Sequence, residues 1–363
     1  MPKAKIVRVE PLNPSEEAIR EAAEILKSGG LVAFPTETVY GLGADAFNPE
    51  AVLKVFKVKR RPLDNPLIVH VSSLDMLQQV ASEVPERVVK ALSIAWPGPL
   101  TVVVKRKSTL PEVVSGGLDT VAVRSPAHPV ALKLIEAVGR PLAAPSANIA
   151  GRPSPTRAEH VVEDLGDEID MILDAGETFF GVESTVVDLV SPSPQILRPG
   201  PLGPEELEKI FGVKFGLPPY ARGLSSYEER PPSPGMKYRH YAPSKKLVLV
   251  EKGSCDTTTY FEFLMKQLES YLKDFPALIA TKETVDEVRS KLGDSLTYFT
   301  LGSRENLFEV AKNLFSTLRI LDKYGRVSIA ISESVEERGI GLAIMNRLRK
   351  ASSERITCKQ KQL

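Results

Sequence analysis

The chain has 363 residues, and its 42% hydrophobic and 26% charged residues are typical of globular proteins. Domains usually contain about 100 to 200 residues, so this length indicates two of them. Lys and Arg number 47 against 46 Asp and Glu, and the resulting net charge of +1 excludes the overall positive field that dominates non-specific nucleic-acid binding.

The cysteines and histidines point away from disulfide and zinc chemistry. Cys255 and Cys358 lie far apart without a C-x-x-C pair, and none of the four histidines has metal-ligand spacing to a partner. We therefore expect neither a disulfide framework nor a structural zinc site, a pattern typical of a reducing compartment. No apolar run approaches the roughly 18 residues of a membrane span. These features predict a cytoplasmic protein without membrane contact.

The first part of the chain is predicted to alternate short strands with helices. Ser15, followed by two glutamates and an apolar rhythm, predicts a capped helix that ends at Gly29-Gly30. The alternation that follows favours an α/β fold with much loop. The predicted strands are 31–34, 66–71, 101–104, 120–124, 171–174, 185–190 and 195–198. The predicted helices lie near 49–59, 85–95, 128–138, 157–165 and 204–211.

A proline-rich stretch separates this region from a second pattern. Six prolines between Leu217 and Ser244 predict a linker. Four β-α units follow and predict a parallel sheet with helices on both faces. Their strands are 246–251, 277–281, 296–301 and 327–332, and their helices lie near 257–272, 283–292, 305–323 and 341–350. The predicted organisation is a domain of 1–212, a linker of 213–244, a second α/β domain of 245–351 and an unassigned tail of 352–363.

Lys59, Arg60 and Arg61 form a group of positive charges at the end of a predicted helix. The helical period places Lys59 at the edge of the apolar face of that helix, and Pro62 stops the helix. Cations in a last turn often only complement the helix dipole. This group carries more charge than a dipole requires. Fixed cations of this kind suit a polyphosphate where no glycine-rich phosphate loop is present.

Two polar residues lie within predicted strands. His70 shares a strand face with Ile68, and a half-buried structural histidine is the more common explanation for such a position. Arg124 points away from the face of Val121 and Val123. A guanidinium there is either solvated or able to bind a carboxylate in bidentate fashion. The pattern alone leaves both interpretations open.

A run of small residues at 143–148 follows an apolar strand. Ser146, Asn148 and, further on, Ser154 bring hydroxyl and amide groups with little bulk, so the backbone can approach a ligand closely. The same residue types form ordinary surface turns. Gly41 to Ala46 matches the dinucleotide pattern G-x-G-x-x-A, but no predicted strand ends directly before it and no helix begins on its glycines. We therefore interpret this run as a turn.

Longer motifs, taken in order, resemble those of the threonylcarbamoyl-AMP synthase family, whose catalytic part is a YrdC-like domain. They are PTETVYGLG at 35–43, KRRPLDNPLIVH at 59–70, WPGPLT at 96–101, VAVR at 121–124, APSAN at 144–148 and GVEST at 181–185. Arg198-Pro-Gly and the run SPGMKYRHYAP at 233–243 resemble the two-domain form of the family. The resemblance implies a YrdC-like twisted mixed sheet with helices, plus a smaller Rossmann-like parallel-sheet domain.

The resemblance also implies a reaction. L-threonine, bicarbonate or CO2, and ATP would give threonylcarbamoyl-adenylate and pyrophosphate, for the N6-threonylcarbamoyladenosine modification of tRNA at position 37. Positioned cations and a Mg²⁺ ion carried by ATP would stabilise the developing phosphoryl charge, so no covalent nucleophile and no tightly bound cofactor are required.

Site residues follow from the same comparison. Lys59 and Arg61 would be the catalytic pair that contacts the ATP phosphates. The L-threonine site would be formed by Thr36, His70, Arg124, Ala144 and Ser184, with Arg124 binding the carboxylate. The further ATP contacts would be Ser146, Asn148, Ser154, Arg198, Tyr238, His240 and Tyr241. The last three lie in a linker segment that would fold over the active site and exclude water.

The implied partners are a tRNA-modifying threonylcarbamoyl transferase complex, as acceptor of the product, and a weak tRNA or double-stranded RNA contact. Two alternative functions stay open. An enzyme of the same fold could use carbamoyl phosphate to make a carbamoyl-adenylate for hydrogenase maturation, although such chains carry zinc-finger-like cysteine clusters that are absent here. A non-catalytic RNA-binding or ribosome-associated module is the second alternative, and the near-neutral net charge counts mildly against it.

Overall fold

The structure is a computed structural model that describes residues 3–227, 231–236 and 240–359. Within these residues the chain divides into two compact units. The first unit contains residues 3–150, 154–227 and 231–236, and the second contains 151–153 and 240–359. None of the helices in the described ranges is both long enough and apolar enough to cross a membrane.

The first unit is built on a mixed sheet of ten strands, counted over the described residues. In spatial order the strands are β1 (Lys5–Arg8), β8 (Met171–Asp174), β2 (Val32–Phe34), β3 (Gly41–Asp45), β7 (Leu142–Ala143), β4 (Ile68–His70), β6 (Thr120–Arg124), β5 (Leu100–Lys105), β9 (Thr185–Asp188) and β10 (Gln195–Arg198). Parallel and antiparallel neighbours both occur, for example β4 with β6 and β5 with β6. The predicted mixed sheet is confirmed.

The central strands bring polar residues from distant parts of the chain together. β4 and β6 run parallel with His70 opposite Arg124, and β5 runs antiparallel to β6 with Thr101 opposite the same arginine. Side chains directly opposite in neighbouring strands share a sheet face and lie about 5 Å apart at Cβ. This register places His70, Arg124 and Thr101 on one surface.

Apart from the short helix Leu74–Val80, the helices of the first unit agree closely with the predicted ones. They are α1 (Glu16–Lys27), α2 (Pro49–Lys59), α3 (Leu74–Val80), α4 (Glu86–Ala95), α5 (Pro129–Val138), α6 (Ala158–Leu165) and α7 (Pro204–Phe211). Local signals set the start of α2, because Asn48 Oδ1 accepts the N–H of Ala51 at 3.1 Å. One face of α2 is buried against β3 and includes Lys59.

Three elements of the first unit differ from the sequence predictions. The interpretation of Gly41 to Ala46 as a turn is wrong, because Gly41–Asp45 forms β3 and pairs antiparallel with β2. A small residue is needed there, since a Cβ on Gly43 would lie 2.9 Å from a ring carbon of Phe34. The strand β1 and the helix α3 have no predicted counterpart. Both are short, and β1 lies at the sheet edge with little burial.

The second unit contains a parallel sheet, five-stranded over the described residues. Its order is β13 (Thr297–Thr300), β12 (Ala277–Ala280), β14 (Ile329–Glu333), β11 (Lys246–Glu251) and β15 (Glu354–Thr357). The connecting helices are α8 (Thr257–Ser270), α9 (Lys282–Leu292), α10 (Leu307–Lys323) and α11 (Gly341–Ala351). The predicted Rossmann-like parallel sheet is confirmed, and the segment predicted to be an unassigned tail contributes β15.

Cys255 and Cys358 form a disulfide bond in the second unit, with their Cα atoms 5.9 Å apart. The expectation that these cysteines form no disulfide framework is therefore wrong. The two residues are separated by 103 positions in the chain, but β15 pairs with β11, and the Cys358 N–H donates to the Glu251 carbonyl at 2.9 Å. Parallel pairing thus brings the two cysteines to one sheet edge, and the inference of a reducing compartment loses this support.

Candidate active site

The loop between β2 and β3 folds tightly around Thr36, which is 2% exposed. Its Oγ1 donates to the Val39 carbonyl at 2.7 Å and lies 2.9 Å from Thr38 Oγ1. The same oxygen accepts the N–H of Val39 at 3.2 Å. A hydroxyl that bonds its own local backbone stabilises a turn. Thr36 therefore shapes the loop that carries Glu37 and Thr38.

Arg124, at the end of β6, is directed at this loop. Its Nη1 donates to Thr38 Oγ1 at 2.9 Å, and its Nε donates to the Gly98 carbonyl at 3.4 Å. Its Nη2 lies 2.6 Å from Glu37 Oε2, and the two side chains are 5% and 7% exposed. Among the described residues, neither Nη2 nor either Glu37 oxygen has a hydrogen-bond partner of good geometry. This guanidinium thus keeps donor capacity suited to a carboxylate.

His70 is buried beside Arg124 and is held neutral. Burial, and then the positive charge of Arg124, lower the pKa of His70 to about 3. Its Nδ1 lies 3.3 Å from the Ile68 carbonyl. We assign the ring proton to Nδ1, because a carbonyl can only accept, and Nε2 is then an acceptor. His70 can accept a hydrogen bond from a ligand but brings no charge.

Ser184 precedes β9 and joins two parts of the site. Its Oγ lies 2.7 Å from Thr101 Oγ1 and accepts from Arg198 Nη2 at 3.2 Å. Arg198 also donates from Nη2 and Nε to the Ser184 carbonyl at 3.1 and 3.2 Å. The turn after β10 allows this approach, since a Cβ on Gly200 would lie 2.2 Å from the Thr185 nitrogen. Arg198 therefore holds the segment that presents the Ser184 hydroxyl.

Lys59 is 1% exposed and lies beneath the loop that follows β7. Its Nζ donates to the carbonyls of Ser146 and Asn148 at 2.5 Å each. The loop is also tied to the Thr36 segment, because the N–H of Ala147 donates to the Tyr40 carbonyl at 2.8 Å. A positively charged side chain thus contacts the loop that carries Ser146 and Asn148, the S-x-N loop.

Arg61 follows a sharp end to α2. Arg60 ends the helix in the left-handed region, with φ of 53°, and its side chain is 70% exposed with Nη2 3.9 Å from Glu168 Oε1. Arg61 is half-buried, and it donates from Nη2 to Asn65 Oδ1 at 2.6 Å and to the Pro66 carbonyl at 2.8 Å. Arg61 orders the loop that leads into β4, whereas Arg60 extends into solvent.

Ser154 and Ala144 complete the part of the predicted site in the first unit. Ser154, 1% exposed, donates from Oγ to Glu183 Oε1 at 2.6 Å. Ala144 is 3% exposed, and its N–H donates to the Ile68 carbonyl at 2.9 Å. Ala144 therefore contributes a small side chain and a fixed backbone.

The three linker residues of the predicted ATP site are not among the described residues of the first unit. Tyr238 lies outside the described residues. His240 and Tyr241 belong to the second unit, where the Tyr241 ring stacks on Phe315 with centroids 5.0 Å apart and the His240 ring lies 5.5 Å from Tyr241. The assignment of these three residues to ATP stays a prediction.

Four residues of the site were not singled out by the sequence reasoning: Glu37, Thr38, Thr101 and Glu183. Each lies inside a motif that carries the family resemblance, directly beside or near a residue that was singled out. A charged residue between two threonines in an otherwise apolar stretch was the available signal for Glu37. The register that sets Thr101 opposite Arg124 has no signal in the sequence.

A cavity of about 630 Å³ adjoins Glu37. Its walls include Gly98, His128, Thr178 and Phe180. Burial lowers the pKa of His128, and His128 Nδ1 accepts the N–H of Val130 at 3.2 Å, so this imidazole is also neutral. Within the described ranges, no group of three or more His, Cys, Asp or Glu residues could hold a metal ion.

A mixed sheet carrying this site, followed by a parallel α/β unit, defines a two-domain YrdC-like protein. Residues 24–200 match the family model of the Sua5, YciO and YrdC proteins, described as "Telomere recombination". Residues 203–353 match the model described as "Threonylcarbamoyl-AMP synthase, C-terminal domain".

Similar proteins extend this match over nearly the full length. The chain is 48% identical over 342 residues to a threonylcarbamoyl-AMP synthase of Pyrococcus abyssi, covering 94% of this chain and 96% of that one. It is 41% identical to that of Bacillus subtilis, covering 95% and 96%. The crystal structure of P. abyssi Sua5 complexed with L-threonine superposes with a TM-score of 0.89 at 44% identity, covering 98% of this chain and 99% of that one. The chain belongs to the threonylcarbamoyl-AMP synthase family.

Proposed function

We propose that the chain catalyses the ATP-dependent synthesis of L-threonylcarbamoyladenylate from L-threonine and bicarbonate or CO2, with release of pyrophosphate. The observation that carries this proposal is the full-length similarity to threonylcarbamoyl-AMP synthases, together with the threonine complex of P. abyssi Sua5. The product would serve the N6-threonylcarbamoyladenosine modification of tRNA at position 37.

The geometry around Arg124 supports a threonine site. The Nη2 of Arg124 would bind the substrate carboxylate, since the other two nitrogens already have partners. His70 offers Nε2 as an acceptor, and the Ser184 and Thr101 hydroxyls, 2.7 Å apart, offer both donors and acceptors. A buried site that bonds a substrate hydroxyl rejects analogues without it strongly. Serine, which keeps the hydroxyl, is therefore the informative competitor.

The position of Lys59 supports an ATP site at the S-x-N loop. Its two bonds to the loop backbone hold the ammonium where phosphates bound by Ser146 and Asn148 would feel its charge, and buried charges act at lower effective dielectric than exposed ones. Arg61, held by Asn65 and Pro66, would add a second fixed cation. We also assign Ser154 and Arg198 to the nucleotide. Chemistry of this type depends on positioned charge rather than on a covalent nucleophile.

Several finer expectations are part of the proposal. A magnesium ion carried by ATP would neutralise phosphate charge. The linker of residues 213–244, with Tyr238, His240 and Tyr241, would cover the bound nucleotide. The product would pass to a tRNA-modifying transferase complex, with weak tRNA contact, in the cytoplasm.

Pyrophosphate release tests the proposal directly. The purified chain is incubated with ATP, magnesium and bicarbonate, and L-threonine, L-serine, L-valine or carbamoyl phosphate is added in turn. We expect release that requires threonine and bicarbonate together. Arg61→Ala should abolish it, whereas the adjacent Arg60→Ala, which changes an exposed side chain, should leave it unchanged.

The other outcomes identify the alternatives. Release with carbamoyl phosphate alone would replace threonine chemistry by the hydrogenase-type carbamoyl-adenylate reaction. No release with any substrate, accompanied by RNA binding that weakens with salt, would indicate the non-catalytic RNA-binding module.

A further inference from the structure

Glu37 is a buried carboxylate that lies beside Arg124 in the proposed threonine site. Its side chain is 7% exposed, and its nearest charge is the Nη2 of Arg124 at 2.6 Å. Neither carboxylate oxygen has a well-aligned donor among the described residues. Burial of a carboxylate costs several kcal/mol unless ion pairs and hydrogen bonds compensate it. Arg124 compensates the charge of Glu37, but the described part of the fold leaves its carboxylate oxygens without aligned donors, which points to a ligand as their hydrogen-bond partner.

Glu37 and Arg124 together form a complement to a zwitterion. An α-amino acid carries a carboxylate and an ammonium group on one carbon atom. A carboxylate bound to Nη2 through a charged hydrogen bond of about 2.8 Å would place the neighbouring ammonium on the side where Glu37 lies. The ammonium then supplies the aligned donors that Glu37 lacks in the fold.

The other titratable groups around Glu37 are unsuited to accept a proton. Arg124 on β6 is a cation and has no acceptor atom. His70 on β4 has a pKa lowered to about 3 by burial and by Arg124, so it does not hold a proton at neutral pH. His128, before α5, also has a pKa lowered by burial. Glu177 is a second carboxylate on the adjoining cavity, but it pairs with Arg157 at 3.1 Å, so Glu37 is the anionic group placed against Arg124.

We propose that Glu37 binds the ammonium group of threonine and accepts its proton, so that carboxylation starts from the neutral amine. This inference rests on the proposed function. One N–H bond of the ammonium breaks and an O–H bond forms on Glu37. The nitrogen lone pair then forms a bond to the carbon of bicarbonate, and hydroxide leaves with a second amine proton as water. Threonine carbamate, water and protonated Glu37 result, and the total charge is conserved.

The cavity beside Glu37 provides the route by which the proton leaves. It has a volume of about 630 Å³ and reaches Glu37 on one side. The proton passes from Glu37 to solvent through this cavity, which Glu37 lines. The site is then ready for the next ammonium group.

The test compares the pH dependence of three variants of the full chain: Glu37→Gln, Glu37→Asp and Glu177→Gln. Glu177 is the matched control, since it borders the same cavity but its side chain is 25% exposed, against 7% for Glu37, and it pairs with Arg157 at 3.1 Å. Initial rates of pyrophosphate release are measured between about pH 6 and pH 9 with threonine, bicarbonate and ATP. Circular dichroism verifies that each variant is folded.

We expect Glu37→Gln to lower kcat at least about 100-fold at pH 7, in the range of general-base effects. Below about pH 7.5, where an α-amino group is mostly protonated, its rate should rise nearly tenfold per pH unit, because the reaction now needs threonine whose amine is already free. Glu37→Asp should react more slowly than the wild type but with the same shallow dependence of rate on pH. Glu177→Gln should match the wild type in both rate and pH dependence.

The outcomes separate the two proposals. Wild-type protein without threonine- and bicarbonate-dependent release would overturn the proposed function itself. If the wild type does release pyrophosphate, two results for Glu37→Gln would refute proton transfer: a change in KM alone, or a pH slope equal to that of the wild type. Glu37 would then act only as a counter-charge for Arg124. If Glu37→Gln does not fold, Glu37→Asp decides, since the amine-limited slope in that variant would exclude proton transfer to residue 37.

Discussion

The neutral state of His70 makes the stability of the first unit depend on pH in a defined way. Burial and Arg124 lower the pKa of the folded-state imidazole to about 3, whereas an unfolded histidine has a pKa of about 6.5. The unfolded chain therefore takes up a proton that the folded chain rejects. The contribution of His70 is complete above about pH 6.5 and is lost as the pH falls towards the folded-state value.

Over a suitable pH range, the loss of stability depends only on the protonation of His70 in the unfolded chain. Between about pH 7 and about pH 5, an unfolded histidine changes from mostly neutral to almost fully protonated. This lowers the free energy of unfolding by about 2 kcal/mol relative to a residue that does not titrate. The folded-state pKa lies well below this window, so its exact value has little effect on the result.

The assay is urea unfolding of wild type and His70→Asn at several pH values in the window. Asn keeps a donor for the Ile68 carbonyl but does not titrate. Trp96 is the single tryptophan of the chain and lies in the first unit, so its fluorescence reports that unit. The wild type should lose about 2 kcal/mol more than the variant between about pH 7 and about pH 5. A stability difference that stays constant with pH would refute the assignment of a neutral, desolvated His70.

Three further substitutions test the disulfide, the S-x-N loop and the substrate carboxylate. Cys255→Ser should lower the free energy of unfolding of the second unit by about 2 to 5 kcal/mol, and reductant should have the same effect on wild type; urea curves insensitive to reductant would contradict the bond. Lys59→Met keeps much of the buried volume but removes both hydrogen bonds to the S-x-N loop. Pyrophosphate release should therefore fall more than about 100-fold, while Trp96 fluorescence stays native. Near-normal release would contradict the role of Lys59. Arg124→Lys should raise the KM for threonine about 10- to 100-fold without changing that for ATP, because the planar fork is lost; parallel changes in both constants would argue against carboxylate binding by Arg124.

The sequence predicts most local elements because their signals are local. Asn48-Pro49 at the start of α2 and the apolar face that carries Lys59 are examples, and both agree with the structure. The prediction fails where the signal is weak or where pairing overrides it. Gly41–Asp45 contains two glycines and reads as a turn, but hydrogen bonds to β2 and β7 on its two sides make it a strand.

The prediction that no disulfide forms fails for a related reason. The number of residues between two cysteines does not determine their distance in space once strands pair. The parallel pairing of β15 with β11 brings Cys358 to Cys255. Likewise, the sequence identified Arg124 as a carboxylate-binding candidate but could not reveal that Glu37 lies 2.6 Å from it. The two residues are far apart in the chain, and only the sheet order places the β2–β3 loop next to the end of β6.

The amino-acid sequence by itself determined the family, the α/β class of both units and the set of polar residues available for chemistry, since motifs, caps and hydrophobic periods are properties of neighbouring residues. The tertiary structure alone decided the state of those residues. It directs Lys59 to the backbone of the S-x-N loop, holds His70 neutral and sets Glu37 against Arg124. The physical reason is that charge state and hydrogen bonding depend on burial and on partners from distant strands, which are defined when the sheet assembles.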